Sequence, residues 1–262
     1  MGILNITPDS FSDGGRHLDP DAALTAARRM AEAGADLLDV GGESTRPGAE
    51  PVSTAEEIRR VVPVIEAIKS ELDVRVSVDT MKSEVAARAL ERGADMVNDV
   101  SAFSDPEMIP VVAESGAPVV VMHMRGSPRT MQVDTRYDDL MFELISFLQR
   151  AVEIAVAGGV SDDKILVDPG IGFGKSAGGC LQIVRELSKL RDVGRPILVG
   201  ASRKSFLGAV LDLPVTERLE GSLAAAALAA WEGAHVIRAH DVKETVRVVR
   251  VVDSVRRSSL RG

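Results

Sequence analysis

The sequence predicts an α/β chain folded as a (β/α)8 barrel, a single domain over residues 1–262. Three observations carry this. Eight short apolar runs alternate with eight helical segments in 262 residues, a length suited to one such barrel. Each run ends in polar residues followed by glycine, serine or proline. A degenerate unit recurs where a helix hands over to a strand: Glu32-Ala33-Gly34-Ala35-Asp36, Glu91-Arg92-Gly93-Ala94-Asp95, Glu114-Ser115-Gly116-Ala117 and Glu232-Gly233-Ala234. A doubly wound open sheet is the alternative, but no G-x-G-x-x-G opens a helix after the first strand.

The pattern is plainest at 165–175, ILVDPGIGFGK. Ile165, Leu166 and Val167 form the continuous aliphatic run of a parallel strand covered on both faces, and Asp168 stands where it stops. Pro169, Gly170, Gly172 and Gly174 then forbid regular structure, so backbone can approach whatever Asp168 binds. Asp-Pro-Gly alone is equally an ordinary turn; recurrence of the pattern along the chain favours the site.

Taken in order, a strand is expected at 2–7, with Asn5 near its end, then a polar loop, 8–15, and a helix over 22–33 closed by Gly34. Strand 35–40 leads to a second long loop, 41–49. Ser53 and Glu56 make a capping box for a helix carrying Ile58, Val61, Val62, Ile65 and Ile68 inward. Strand 74–78 ends at Asp79-Thr80, helix 82–92 follows, and a fourth strand ends at Asn98-Asp99. A helix starting at Asp105-Pro106 stops at Gly116, and strand 117–122 is closed by His123-Met124-Arg125-Gly126. The polar segment 127–138 is expected to be mobile, ahead of a long amphipathic helix over 140–157. Helix six is expected over 181–191 and strand seven over 196–199. The alanine-rich run 222–231 should pack closely on the sheet, before strand 234–238 and a last helix with Val242, Val246, Val249 and Val252 on one side.

Composition narrows the function. With 45% hydrophobic residues the chain can bury one large core, yet no apolar run approaches the roughly 20 residues of a spanning helix, so a cytoplasmic protein without a membrane is expected. The single cysteine, Cys180, reads as a free structural thiol of a reducing compartment. A formal charge of -8 with 3% aromatics argues against nucleic acid as a partner. No H-x-H, H-E-x-x-H or cysteine cluster suggests zinc, and no G-x-S-x-G marks a serine nucleophile.

In such a barrel the carboxyl ends of the strands share one mouth. They would bring together Asn5, the Thr45-Arg46 loop, Asp79, Asn98, Met122-His123, Asp168, Lys204 and Arg238 to His240. Asp79, Asn98 and Asp168 suit a flat heterocycle with several N–H donors. Asn5, Arg46, Arg238 and His240 suit an anion with several oxygens, because guanidinium matches phosphate in a fork. Lys204 falls between the two groups. His123 reads as a core histidine, Asp36 and Asp95 belong to the opposite, stability face, and Arg203 is read either as a site residue or as packing alongside Lys204.

Eight blocks in order, GILNITPDSFSDGG (2–15), GGESTRPGA (41–49), SVDT (77–80), NDVSAF (98–103), MHMRG (122–126), DPGIGFGK (168–175), GASRKSFLG (200–208) and VIRAHDV (236–242), resemble the dihydropteroate synthase family along essentially the whole chain. The resemblance implies a TIM barrel, usually a homodimer, that condenses 6-hydroxymethyl-7,8-dihydropterin pyrophosphate with p-aminobenzoate in folate synthesis, with Mg2+. Sulfonamides mimic the second substrate in that family. It implies that Asp79, Asn98, Asp168 and Lys204 hold the pterin, with Met122, Gly172 and Phe173 lining its pocket. Asn5 would meet Mg2+ and pyrophosphate; Arg46, Arg238 and His240 would bind the leaving pyrophosphate. Phe11, Thr45, Pro47 and Ser205 would shape the p-aminobenzoate site, and Asp13 lies on a first loop expected to close over the reacting centre. The implied reaction has SN1 character, the C–O bond breaking largely before the aniline nitrogen attacks. Lys204→Ala and Arg238→Ala are each expected to abolish most turnover while leaving the fold intact.

Three departures from the family pattern stand out. The chain starts at the first barrel strand, so the N-terminal hairpin usual in the family is absent or trimmed. Gly179-Cys180 stand where His-Asn is common, and the stretches after loops one and two resemble sulfonamide-insensitive relatives, although intact Thr45, Arg46 and Pro47 favour a drug-sensitive enzyme. The competing readings are a pterin-binding methyltransferase on the same barrel, which would not need the anion-binding set, and a non-catalytic pterin-binding paralogue, which would not need the second-substrate loops.

Overall fold

The computed structural model describes residues 1–7, 20–45 and 48–257. Six parallel strands run in sequence order: β1 Gly2–Asn5, β2 Leu37–Gly41, β3 Arg75–Asp79, β4 Met96–Asp99, β5 Val119–Met122 and β6 Ile165–Asp168. Two short strands, β7 Leu198–Val199 and β8 Val236–Ile237, pair with one another. Backbone bridges at both seams close the barrel: the Val167 amide donates to the Pro196 carbonyl, and the Ile3 and Ala239 amides donate to the Ala239 and Met1 carbonyls. The (β/α)8 barrel is therefore present, with no unpaired edge among the described residues.

Helices separate the strands: α1 Pro20–Glu32, α2 Thr54–Glu71, α3 Ser83–Glu91, α4 Met108–Ser115, α5 Leu140–Ala157, α6 Ala177–Arg185, α7 Ser205–Leu211, α8 Leu219–Glu232 and α9 Val242–Arg257. The capping box forms on one side at least, since the Ser53 hydroxyl accepts from the Glu56 amide. Ser77, Val78 and Asp79 pair with Met96, Val97 and Asn98, and Gly41 pairs with Asp79, so polar strand residues fall in register.

Period-two alternation sorts every strand into two faces. Leu4, Leu38, Val40, Val76, Val78, Val97, Val119, Val121, Ile165 and Val167 join one apolar core with the inner faces of the helices. Each such fully buried aliphatic side chain stabilises by about 1.5–3 kcal/mol. The alternate residues, including Asn5, Asp39, Ser77, Asp79, Asn98, Met122 and Asp168, turn into the barrel. The lumen of this barrel is thus polar toward the carboxyl ends of its strands, an unusual filling that a structural core alone would not require.

Three expectations need correction. Helix six starts at Ala177, not 181, because the Ser176 hydroxyl caps the Gly179 amide; it stops at Arg185, and a 3-10 turn, Leu187–Val193, completes the connection. Segment 127–138, expected to be mobile, is tied down. Met131 is buried, Gln132 donates to the Gly172 carbonyl at 2.9 Å, and the Tyr137 hydroxyl donates to the Gly174 carbonyl at 2.8 Å. Its polar residues find partners on the neighbouring loop, so hydrophilic composition does not mean solvation here. β7 and β8 are also shorter than expected, two residues each, starting two residues late because the Ile197 amide donates to Nδ1 of His235 in place of a strand carbonyl. The alanine-rich run behaves as expected: Ala225, Ala226, Ala229 and Ala230 are buried in α8.

Candidate active site

The polar lumen converges on one guanidinium. Arg238, just past β8, donates through Nε to Asp39 and through Nη2 to Asp79, each at 2.6 Å. Asp39 also accepts from the Asn98 amide at 3.0 Å, so four strands meet in one hydrogen-bonded cluster. Burial removes water from it. Against that desolvation, Asp39 and Asp79 together raise the pKa of Arg238 and keep it charged. Burial pushes the Asp79 carboxyl up to about 7, with Arg238 pulling down and Asp39 pushing further up. Two carboxylates on one guanidinium leave one negative charge in excess, and protonation of Asp79 near neutrality relieves it.

A second cluster lies beside the first. The Asp168 carboxyl accepts from the Gly170 amide at 2.6 Å, and burial raises its pKa against the pull of Lys204. Burial lowers Lys204 to about 8, with Asp168 opposing the shift. The Lys204 ammonium donates to the Ile171 carbonyl and sits 4.6 Å from the centre of the Phe173 ring, a cation–π contact. Gly172 brings the chain so close to the Lys204 stem that a Cβ there would lie 3.2 Å from its Cδ, and its φ of +85° is one that glycine alone adopts freely.

The remaining expected site residues distribute unevenly. Met122 is buried and faces the lumen beside Asp168, its partner in register. Asn5, half-buried at the end of β1, pairs with Gly41. His240 is held by Ser202, which lies 3.1 Å from its Nδ1 and accepts from its backbone amide. Ser205 is exposed at the start of α7, and Thr45 is half-buried at the edge of the second loop. Phe11, Asp13, Arg46 and Pro47 lie outside the described residues. Arg238, expected among the anion-binding residues, pairs with the acids Asp39 and Asp79.

Arg203, left open by the sequence, is engaged by Asp241 in an ion pair. Its backbone is left-handed, φ 58°. Asp39 was not anticipated, although its spacing places it on the same face as Gly41 and opposite Ser77, a signal available in period two. One other group also escaped notice. Lys82 bridges Glu43, at the root of the second loop, and the buried Glu57 of α2, while Arg60 donates to the Gly42 carbonyl at 2.9 Å. These bonds clamp the loop that leads to Thr45. Lys175, one of the basic residues that the sequence places beside glycines, is buried.

No group of three or more His, Cys, Asp or Glu side chains is arranged to hold a metal among the described residues. A cavity of about 750 Å3 opens at the opposite mouth, between Met1, Arg75, Asp95, Lys164 and α9, and none of the expected site residues lines it.

Comparison with known proteins bears on this geometry. The pterin binding enzyme family model matches residues 1–240. The dihydropteroate synthase of Escherichia coli K12 is 47% identical over 254 residues, covering 97% of this chain and 90% of that one. Among solved structures, the Yersinia pestis dihydropteroate synthase with a sulfonamide drug superposes with a TM-score of 0.93 at 48% identity, over 98% of this chain and 93% of that one. The Xanthomonas albilineans dihydropteroate synthase with 4-aminobenzoic acid gives 0.92 at 44% identity, over 97% and 92%. A closed barrel with buried acids and cations at its carboxyl mouth, and this similarity over almost its whole length, place the chain among the pterin-binding enzymes as a member of the dihydropteroate synthase family.

Proposed function

We propose that the carboxyl mouth of the barrel joins 6-hydroxymethyl-7,8-dihydropterin pyrophosphate to p-aminobenzoate, with these residues in named roles. The Asp39–Arg238–Asp79 network with Asn98 and Asp168 is the observation that carries the reading: it is a preorganised, dry set of acceptors at the spacing of neighbouring strand ends. A planar pterin with several N–H donors would donate to the carboxylate oxygens beyond their bonds to Arg238 and the Gly170 amide. Asp79, titrating near neutrality, and Asp168 would also stabilise the positive charge that develops on the pterin methylene as the C–O bond breaks. Met122, Gly172 and Phe173 line the ring, and Lys204 lies between ring and tail.

The departing pyrophosphate is assigned to Asn5, Arg46 and His240, with Arg238 adding charge from behind. Phe11, Thr45, Pro47 and Ser205 are assigned to p-aminobenzoate and Asp13 to the loop above the reacting carbon; the Xanthomonas enzyme solved with 4-aminobenzoic acid supports the second substrate. Sulfonamide binding follows by the same analogy. Mg2+ fits only as a partner of the substrate: the described residues offer Asn5 but no carboxylate cage, and Mg2+ commonly takes most of its oxygens from phosphates and water. When bound it would neutralise charge on the leaving diphosphate.

We read residues 1–262 as one domain working as a homodimer. Val210, Val215, Leu228, Trp231, Val251 and Val255 expose apolar side chains on α7 to α9 and the turn between α7 and α8, which supports a self-association face. No helix among the described residues is long and apolar enough to cross a membrane, and the free, buried Cys180 suits the cytoplasm.

A pyrophosphate-release assay tests the reaction. Release that depends on p-aminobenzoate and yields dihydropteroate is expected. Pterin binding without turnover would instead fit a non-catalytic paralogue, and methyl transfer to or from a pterin would fit the methyltransferase reading.

A further inference from the structure

Lys175 is a buried ammonium that the proposed chemistry does not use. Its Nζ reaches three acceptors: the Phe173 carbonyl at 2.9 Å, Nδ1 of His123 at 2.9 Å and the His123 carbonyl at 3.3 Å. Both side chains are buried, at 3% and 6% exposure, so water does not substitute for these bonds. The His123 ring is fixed in turn, packing edge-on against Phe147 with centroids 4.8 Å apart.

These contacts join two loops that come together with no spare room. A Cβ on Gly170 would lie 1.9 Å from the His123 carbonyl oxygen, and one on Gly174 would lie 2.8 Å from the Arg125 side chain. The far side of the same glycine loop is the part that meets Lys204, through the Ile171 carbonyl, the Gly172 backbone and the Phe173 ring. Three left-handed glycines, with φ between +64° and +85°, give this loop little intrinsic preference for one shape. Something must select it, and Lys175 grips its end from inside.

We propose that Lys175 is a positioning residue: by tying the Phe173 carbonyl to the ring and carbonyl of His123, it fixes the Phe173 ring and the Lys204 ammonium beside it as one wall of the pterin pocket. This rests on the pterin reading of Asp168, Phe173 and Lys204 given above. Protonation agrees with the geometry. Burial, helped by the Lys175 charge, lowers His123 to about 3, so its Nδ1 is free to accept at neutral pH. Burial lowers Lys175 to about 7 against the pull of Asp168, and with or without the third proton it can still donate to that nitrogen.

The test measures the affinity of 6-hydroxymethylpterin by calorimetry, the kcat and KM for the pterin pyrophosphate, and thermal stability. Lys175→Met is expected to weaken pterin binding at least tenfold and raise KM by a similar factor, with kcat at saturation changed much less. His123→Leu, which keeps the lysine and removes its nitrogen partner, should do the same. His123→Asn, which restores an acceptor near Nδ1, should bind within about threefold of the native protein. The double variant Lys175→Met/His123→Leu should be no worse than the weaker single, because one link is broken twice. If Lys175→Met does not fold, the His123 pair decides the matter alone. Pterin affinity within twofold of native in Lys175→Met or His123→Leu, with Asp168→Asn abolishing binding, overturns the positioning role and leaves the pocket standing. Unchanged binding in Asp168→Asn overturns the pocket and the proposal together, and lowered thermal stability with unchanged affinity reduces Lys175 to a scaffold residue.

Discussion

Replacing Arg238 by methionine should damage the fold as well as the reaction. The guanidinium makes two 2.6 Å bonds to carboxylates, one wholly buried and the other nearly so, and is itself only 19% exposed. Methionine fills most of the volume and removes the charge, leaving Asp39 and Asp79 without their shared cation while Asn98 still donates to Asp39. Removing one partner of a buried ion pair costs about 3–5 kcal/mol, because the remaining charge is left without compensation. For a chain of this length that corresponds to a melting temperature lower by roughly 6–20 °C, and to a urea midpoint lower by about 1 M or more.

The deficit should also depend on pH. A carboxyl whose folded pKa is raised takes up a proton on folding, so its favourable contribution is present at low pH and lost as pH rises through the folded value. In the native protein Asp79 completes that loss near pH 7. Without Arg238 the folded pKa of Asp79 rises further and the loss continues above neutrality, so the gap between variant and native should be wider at pH 8 than at pH 6. The added substitution Asp39→Asn should recover part of it. Urea unfolding of the native protein and both variants at the two pH values checks the reasoning. A loss below about 1 kcal/mol at pH 8, or a gap that ignores pH, would refute the idea that Arg238 neutralises two buried acids. The first result would restore the sequence-based expectation that Arg238→Ala spares the fold.

Other consequences can be measured separately. Lys204→Met should leave the urea midpoint nearly unchanged and lower kcat/KM about 100-fold or more; in the native enzyme activity should decline as pH rises through about 8, where Lys204 loses its proton, and this limb should vanish in the variant. Gly170→Ala, with its Cβ 1.9 Å from a carbonyl oxygen at φ +64°, should destabilise by more than about 2 kcal/mol in denaturant titration. Lys82→Met strands the buried Glu57 carboxyl and frees the root of the second loop; a stability loss of about 3 kcal/mol and a higher KM for p-aminobenzoate are expected from unfolding and steady-state kinetics. Cys180 is buried with its pKa raised by desolvation, so an Ellman titration should find it unreactive until the protein is unfolded.

The order of strands, their polar ends and the barrel could be read from residue order, because apolar runs of four or five residues, glycine stops and the acids at 79 and 168 are local signals. Helix six was misjudged at its start: a capping serine beside two glycines looks like loop until its hydroxyl is seen on an amide. Asp39, Glu57 and Lys82 escaped for a common reason. A charged residue inside a strand or a helix turn has no local mark that separates a solvated group from a buried one, and its partners lie up to 199 positions away in the chain.

Local patterning was thus enough to specify eight βα units and the end of the barrel where chemistry gathers. Which acid shares Arg238, which acid pairs with Arg203 and what holds the glycine loop in place depend on through-space electrostatics in a dry interior. Those energies come into being only when distant strands close the ring and exclude water, so no inspection of neighbouring residues along the chain could have supplied them.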